Sequence, residues 1–223
     1  MLVLVIDTST PAVTAGVVEI PVARGAVVVR AAHVVVGPRR HGEVLAPSIA
    51  AAFRDAGCTA ADLTGVVAGV GPGPFTGLRV GLATADAVAL AAGIPTYAVC
   101  SLDGIGARTA GDGVLVATDA RRREVYWATY TDGARRAGPG VATPAGLAAR
   151  LGELGVLTMV GPGARAYEDV LGLRLGDVEY PAVAELAALA AERVRAAAPA
   201  EALVPLYLRH PDAVPPRDVV QPG

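Results

Sequence analysis

The sequence has few of the residues that usually bind metals or form covalent cross-links. Its 223 residues include 2 cysteines and 3 histidines, and only 4% are aromatic. Cys58 and Cys100 have neither the spacing of metal ligands nor that of a disulfide framework, so free thiols in a reducing compartment are expected. No histidine pair recurs at helical spacing, as metal-binding pairs do. The sequence therefore predicts neither a metal site nor a cofactor.

Lysine is absent as well, because all 19 basic residues are arginine. The net charge is −2, and the one run of cations, Arg121–Arg123, is too short to form a basic stripe. Nucleic-acid binding by this chain alone is therefore not expected, since phosphate neutralisation needs clustered cations. No apolar run is long enough to cross a bilayer, and the first one reaches Asp7 without a basic region before it. We expect a cytoplasmic protein.

What the chain does contain is apolar sequence, 53% of the total, organised around one strand, one loop and one helix. The run Val66–Val70 reads as a buried strand, and Leu78–Ala92 reads as a helix. Between them lies a loop rich in glycine and proline, in which an irregular backbone is expected. We expect Thr76 to cap the helix and Gly93 to end it. The structural loop residues are Gly71, Gly73, Phe75, Thr76 and Gly77.

The helix after this loop has almost no polar face, since Arg79 and Asp86 are its only charged residues. A helix that is apolar all round is normally buried all round. Small residues also recur along it at i, i+4 spacing, which allows another backbone to approach closely. One face can lie on the chain's own sheet, and the other is expected to meet a second helix. The small residues are Gly77, Gly81, Ala85 and Ala89.

The order of predicted elements up to Val99 is three meandering strands, helix, strand, helix and strand. This order resembles one half of the actin, hexokinase and Hsp70 superfamily, whose members hold a nucleotide between two such halves. The resemblance implies an α/β protein of the actin-like (ASKHA) fold, with two related lobes that are each a mixed β-sheet with flanking helices. We expect an N-terminal lobe over 1–102 and a smaller C-terminal lobe over 103–210. A terminal helix at about 181–198 could pack back on the first lobe, and 211–223 is expected to be a disordered tail.

Two turns that come directly after predicted strands could line a cleft between the lobes. The first contains Asp7, Thr8 and Ser9, and the second begins at Asp119. Their hydroxyl and N–H groups could cradle a phosphate, and Asp7 could hold a metal-bound water. Alternatively, these side chains satisfy only the backbone of their own turns, which is the interpretation that the local sequence favours.

Several motifs resemble those of the TsaB (YeaZ) family, bacterial partner proteins in making threonylcarbamoyladenosine next to the tRNA anticodon. The long match at Gly71–Gly81 is specific, and the others support it. Pro74 departs from the family, which usually has serine there. The supporting motifs are Ile6–Thr10, His41–Pro47, Ser101–Leu102, Asp119–Arg121 with Glu124–Tyr126, Gly161–Ala164 and Pro205–Arg209.

The resemblance implies a non-catalytic subunit of a threonylcarbamoyltransferase complex. The paralogous catalytic subunit, TsaD, binds its metal through paired histidine motifs that this sequence lacks. The family implies a TsaD-type partner, a TsaE-type ATPase, contact with tRNA only within the complex, and a homodimer when the partner is missing. Pairing is expected through the first two helices. The expected interface residues are Val44, Leu45, Ile49, Phe53, Leu78, Gly81, Leu82, Ala85 and Ala89.

Two enzymatic alternatives remain open at this stage. A free-standing nucleotide phosphotransferase of the actin-like superfamily would use Asp7 and Asp119. A peptidase is an older label for relatives of the family. It would need His41, Ser101 and Asp103 to converge, which nothing in the sequence indicates.

Overall fold

The computed structural model describes residues 1–37 and 41–209. Its first half forms a five-stranded sheet with strand order β3-β2-β1-β4-β5. The first three strands are antiparallel, whereas β4 runs parallel to β1, and β5 parallel to β4. The elements are β1 (Leu2–Asp7), β2 (Ala12–Glu19), β3 (Val28–Val36), α1 (His41–Ala56), β4 (Leu63–Gly69), α2 (Phe75–Ala92) and β5 (Thr96–Val99).

The second half repeats this topology in a second five-stranded sheet, with the order β8-β7-β6-β9-β10. Again three antiparallel strands are followed by two parallel ones. The repeat confirms the predicted actin-like fold. The elements are α3 (Ser101–Gly106), β6 (Val114–Asp119), β7 (Val125–Thr131), β8 (Ala134–Ala142), α4 (Pro144–Ala148), β9 (Thr158–Val160), α5 (Pro162–Ala166), α6 (Glu168–Leu171), β10 (Arg174–Leu175) and α7 (Val183–Arg195).

Helices cover both faces of each sheet. In the first sheet, α1 and α2 pack on one face and α7 on the other, so β1 and β4 are buried on both sides. In the second sheet, α3 lies on the face directed toward α7, and α4, α5 and α6 lie on the opposite face. Sheets buried on both faces require nearly continuous apolar strands, which the Val-rich composition supplies.

The observed helix ends agree only partly with the ends predicted from the sequence. Gly93 ends α2 in the left-handed conformation, with φ 66° and ψ 34°, as predicted. The prediction for Thr76 is wrong, because α2 already begins at Phe75 and no side chain caps it. Thr143 caps α4, since its hydroxyl accepts a hydrogen bond from the Gly146 N–H.

The sequence predicts strands at Val114–Thr118, Glu124–Tyr130 and Val156–Val160 in the second half, and two strands of the second sheet have no counterpart among them. Strand β8 contains Arg135, Arg136 and Pro139, and strand β10 has only two residues. Both lack the β-branched alternation that indicates a strand, and neighbouring strands supply their pairing partners. The predicted terminal helix is found as α7, and the predicted tail lies outside the described residues.

Candidate functional site

Asp7 lies at the end of β1 and is fully engaged by its neighbours. Its Oδ1 accepts hydrogen bonds from the Ser9 N–H (2.9 Å) and the Ser9 hydroxyl (2.8 Å), and its Oδ2 accepts one from the Ser101 hydroxyl (2.5 Å). The side chain is 1% exposed, and this burial raises the pKa of the carboxyl. The hydrogen bonds from Ser101 and Ser9 act in the opposite direction and lower the pKa, but the effect of burial is larger. Because the hydrogen bonds of its carboxylate go to buried groups of the same chain, Asp7 serves as a structural anchor.

The anchor extends into the glycine-rich loop through Ser101. The Ser101 hydroxyl accepts from the Gly71 N–H at 3.0 Å, and the Ser101 N–H donates to the Gly71 carbonyl at 2.8 Å. Cys100 occupies the N-cap position of α3, and Ser101 is the first residue of that helix. Asp7, Ser101 and Gly71 thus form one buried network, which joins three segments that are distant in sequence.

Glycine is required in this region because two backbones approach closely. A Cβ on Gly73 would lie 2.3 Å from the Ser9 carbonyl oxygen, and a Cβ on Gly81 would lie 2.2 Å from the Thr8 Oγ1. The Thr8 hydroxyl also donates to the Gly77 carbonyl at 2.8 Å. The small residues Gly77 and Gly81 therefore admit the chain's own first turn.

A cavity of about 690 Å³ lies where the two predicted turns face each other. Ser9 and Asp119 line it, together with residues at the starts of α1 and α2, whereas Asp7 and Thr8 do not reach it. The structure therefore brings two of the four predicted cleft residues to one cavity. The other lining residues are Thr10, Pro11, His41, Gly42, Pro74, Phe75, Thr76, Gly77, Val80, Thr118 and Arg121.

Groups from both halves set the polarity of this cavity. The His41 Nε2 donates to the Thr10 carbonyl at 2.8 Å. Asp119 accepts from the Arg121 N–H at 2.9 Å, and Arg121 has a positive φ of 63°, a costly conformation for arginine. Thr118 is buried, and its hydroxyl has no hydrogen-bond partner among the described residues. The cavity is thus a mixed polar and apolar site.

The residues of the peptidase alternative have separate partners. Ser101 is bonded to Asp7, His41 to the Thr10 carbonyl, and Asp103 to the Tyr130 hydroxyl and Arg135. No group of three His, Cys, Asp or Glu side chains that could hold a metal occurs within 1–37 and 41–209. Burial also raises the pKa of Cys100 to about 11, so this thiol is protonated near neutral pH.

Most residues that the sequence assigned to a protein interface lie in the chain's own core. The inner faces of α1 and α2 pack on the first sheet around Leu4 and Ile6. Their side chains are already covered within this chain, and their place at a partner surface stays a prediction. Val44 and Phe53 are half-buried at the edge of this cluster. The buried residues are Leu45, Ile49, Leu78, Gly81, Leu82, Ala85 and Ala89.

The outer face of α1 and α2 is exposed and largely apolar. Leu90 is 85% exposed, the largest value among the exposed large hydrophobic residues described. At the start of α2, the Phe75 ring stacks on Tyr207 with centroids 5.4 Å apart, and the Arg79 guanidinium lies 3.9 Å above Phe75. The two helices contact each other and pack on the same face of the first sheet. Other small exposed residues of these helices are Ala46, Ala50, Ala83, Ala87 and Ala91.

Comparison with known proteins places this fold and site in a family. The family model described as "TsaD: tRNA N6-adenosine threonylcarbamoyltransferase" matches residues 35–156. An uncharacterised protein of Mycobacterium tuberculosis (strain H37Rv) is 49% identical over 213 residues, which cover 96% of this chain and 94% of the relative.

Two further relatives point to the same family. The tRNA threonylcarbamoyladenosine biosynthesis protein TsaB of Escherichia coli (strain K12) is 32% identical over 196 residues, covering 80% of this chain and 85% of TsaB. The crystal structure of a Pseudomonas aeruginosa protein, described as uncharacterised and similar to the peptidase YeaZ, superposes with a TM-score of 0.73. It is 28% identical, and the alignment covers 93% of this chain and 99% of that one. This chain therefore belongs to the TsaB (YeaZ) family.

Proposed function

We propose that this protein is a non-catalytic subunit that pairs with a TsaD-type transferase and supports threonylcarbamoylation of adenosine in tRNA next to the anticodon. Its membership of a family that includes a tRNA threonylcarbamoyladenosine biosynthesis protein supports the pathway. A cytoplasmic location fits this role. A TsaE-type ATPase and the tRNA would join only in the assembled complex.

One observation carries the pairing: the exposed apolar outer face of α1 and α2. Leu90 and Ala87 lie on α2, and Ala46 and Ala50 lie on the neighbouring α1. Surfaces of this kind on a folded chain mark contacts with other proteins. Small side chains also let a partner helix approach closely. The interface proposed here is therefore the outer face of α1 and α2, with Val44 and Phe53 at its rim.

The proposal is tested by placing a charge on this face. We expect Leu90→Glu to weaken binding to the TsaD-type subunit by roughly tenfold or more, because pairing would bury an unpaired carboxylate. Leu157→Glu is the matched control, since Leu157 is 69% exposed in the second half of the chain. Isothermal titration calorimetry with the purified partner measures both variants.

Activity provides the second measurement. In a mixture of the TsaD-type subunit, the ATPase, threonylcarbamoyl-adenylate and tRNA, modification should require this chain and fall with Leu90→Glu. This chain by itself should give no turnover. Full modification without it would refute the proposed role, and normal binding by Leu90→Glu would refute the location of the interface.

A nucleotide-binding phosphotransferase is the second candidate, and the cavity between the two turns favours it. Ser9 and Asp119 line that cavity, and the Thr118 hydroxyl has no partner there among the described residues. Against it, the Asp7 carboxylate is fully engaged in structural hydrogen bonds. Micromolar binding of ATP with magnesium in calorimetry would support this candidate, and no binding would exclude it.

A further inference from the structure

The last residues that the structure describes, 201–209, cross from the first half of the molecule to the second. They form neither a helix nor a strand, and we call them the C-terminal strap. The Glu201 N–H donates to the Thr96 carbonyl at 2.9 Å, and the Leu206 N–H donates to the Val70 carbonyl at 2.8 Å. The strap is therefore attached to the first half at two separate points.

The middle of the C-terminal strap packs on the start of α2. The Tyr207 ring stacks on Phe75, and the Tyr207 hydroxyl accepts a hydrogen bond from the Arg79 Nε at 3.0 Å. Phe75 is one of the residues that line the cavity where the two predicted turns face each other. The strap therefore supports the cavity wall that the first half provides.

The end of the C-terminal strap reaches the turn between β6 and β7 in the second half. Arg209 donates to the Ala120 carbonyl at 3.1 Å and forms an ion pair with Glu124. Ala120 lies between Asp119 and Arg121, which line the same cavity. Within this turn, the Ala120 N–H donates to the Glu124 carbonyl at 3.0 Å. Arg209 therefore holds the cavity wall that the second half provides.

The C-terminal strap is attached more strongly to the first half than to the second. Leu203 is buried in the core between the first sheet, α1 and α2, and Leu206 packs against the same core. In the second half, Leu208 is only half-buried against a core cluster, and the Arg209 side chain is 23% exposed. An ion pair that is open to solvent contributes little stability, so the end of the strap can detach while the rest stays bound.

We propose that the C-terminal strap is a releasable clamp between the two halves, and that Arg209 sets the separation of the two cavity walls. With Arg209 on the turn between β6 and β7, the walls are held at the observed width. When Arg209 leaves that turn, the strap stays on the first half, and the second half is free to move away from it. The clamp involves neither the outer face of α1 and α2 nor a bound ligand, so it does not depend on the proposed function.

Hydrogen exchange of the full chain, measured by NMR, tests the clamp. In Arg209→Met, the amides of residues 119–124 should exchange roughly tenfold faster or more, because the turn loses its attachment to the strap. The Leu206 amide should keep its protection, since that part of the strap stays on the first half. The matched control is Arg165→Met, which removes the ion pair with Glu179 in the same half and should leave the turn unchanged.

A second variant distinguishes a clamp from a local contact. Tyr207→Ala removes the ring that stacks on Phe75 in the first half, and it should also speed exchange at residues 119–124 in the second half. Tyr207→Phe keeps the stacking and should have a smaller effect, and circular dichroism checks that the variants are folded. Unchanged exchange of the turn in Arg209→Met, or an effect of Tyr207→Ala confined to the first half, would overturn the proposal.

The separation of the two halves provides an independent readout. Spin labels at Leu90→Cys and Leu157→Cys, both exposed positions, report this distance by double electron–electron resonance after the two native cysteines are replaced by alanine. The distance distribution should broaden when Arg209→Met is added and should not change with the control substitution. Equal distributions with and without Arg209→Met would show that other contacts fix the halves, and would overturn the proposal.

Discussion

The turns after β1 and β6 occupy equivalent positions in the two repeated halves, yet they differ in almost every physical property. Asp7 in the first turn is 1% exposed and accepts three hydrogen bonds. Asp119 in the second is exposed and accepts a hydrogen bond from the Arg121 N–H of its own turn. The same residue type at matching positions therefore anchors the glycine-rich loop in one half and lines an open cavity in the other.

The difference comes from the segments that pack against each turn. The first turn lies beneath the loop that precedes α2, where Gly73 and Gly81 allow contact with Ser9 and Thr8. The second turn projects Arg121 and Asp119 toward the cavity instead. The two turns thus have equivalent positions in the repeated topology but different roles, because the segments packed against each turn decide how deeply that turn is buried.

Removing the first carboxylate should have the largest effect. Asp7→Ala leaves the Ser9 and Ser101 hydroxyls without their acceptor in a buried site, so we expect a loss of about 3 kcal/mol in the free energy of unfolding. Asp119→Ala should change stability by less than about 0.5 kcal/mol. Urea denaturation measures both, and equal losses would show that the comparison between the turns is wrong.

Closing the space between the first turn and α2 should have the next largest effect. In Gly81→Ala the new methyl group meets the Thr8 side chain, and we expect a loss of about 1–3 kcal/mol. Gly42→Ala in α1 is the matched control, because its Cβ has no neighbour within 4 Å, and it should be neutral or stabilising. Adding Thr8→Ala, which removes the Oγ1 that the new methyl group meets, should recover part of the loss, and thermal denaturation can follow the three variants.

The pH dependence of stability provides a third test of the comparison. Burial raises the folded-state pKa of Asp7 above 3.8, so the folded state binds this proton more readily than the unfolded state. As pH falls through the folded pKa toward 3.8, the wild type should gain stability relative to Asp7→Asn. The gain is about 1.4 kcal/mol for each pH unit that separates the folded-state pKa from the unfolded-state pKa. Urea unfolding between pH 7 and pH 4 measures the difference, and a constant difference over that range would contradict the raised pKa.

The sequence predicted the first half better than the second. The strands β1 and β2 and the helices α1 and α2 follow from apolar runs and from loop residues. The short apolar run Thr96–Val99 predicts a strand that agrees with β5 at both ends. Strand β8 was not predicted because Gly138, Pro139 and Gly140 are residues typical of a loop. In the structure, β7 supplies the hydrogen-bond partners of this strand. Local pattern cannot reveal a strand that depends on an existing neighbour for its pairing.

The candidate site was predictable in its parts but not in its connections. Asp7, Ser9 and Asp119 stand out as turn residues after strands, and the glycines stand out by composition. Nothing near Ser101 in the sequence indicates that its hydroxyl binds Asp7, which lies 94 positions away. The stacking of Phe75 on Tyr207 also joins residues far apart in sequence, and no local pattern indicates it.

By itself, the amino-acid sequence determined the order of strands and helices along the first half of the chain, the small-residue stripe of α2 and the motifs of the family. Only the tertiary structure decided which backbone that stripe admits. A helix that is apolar all round can turn either face inward, since periodicity does not distinguish its two faces. The contact of Gly81 with Thr8 directs the small residues toward the chain's own first turn and leaves Leu90 exposed on the opposite side.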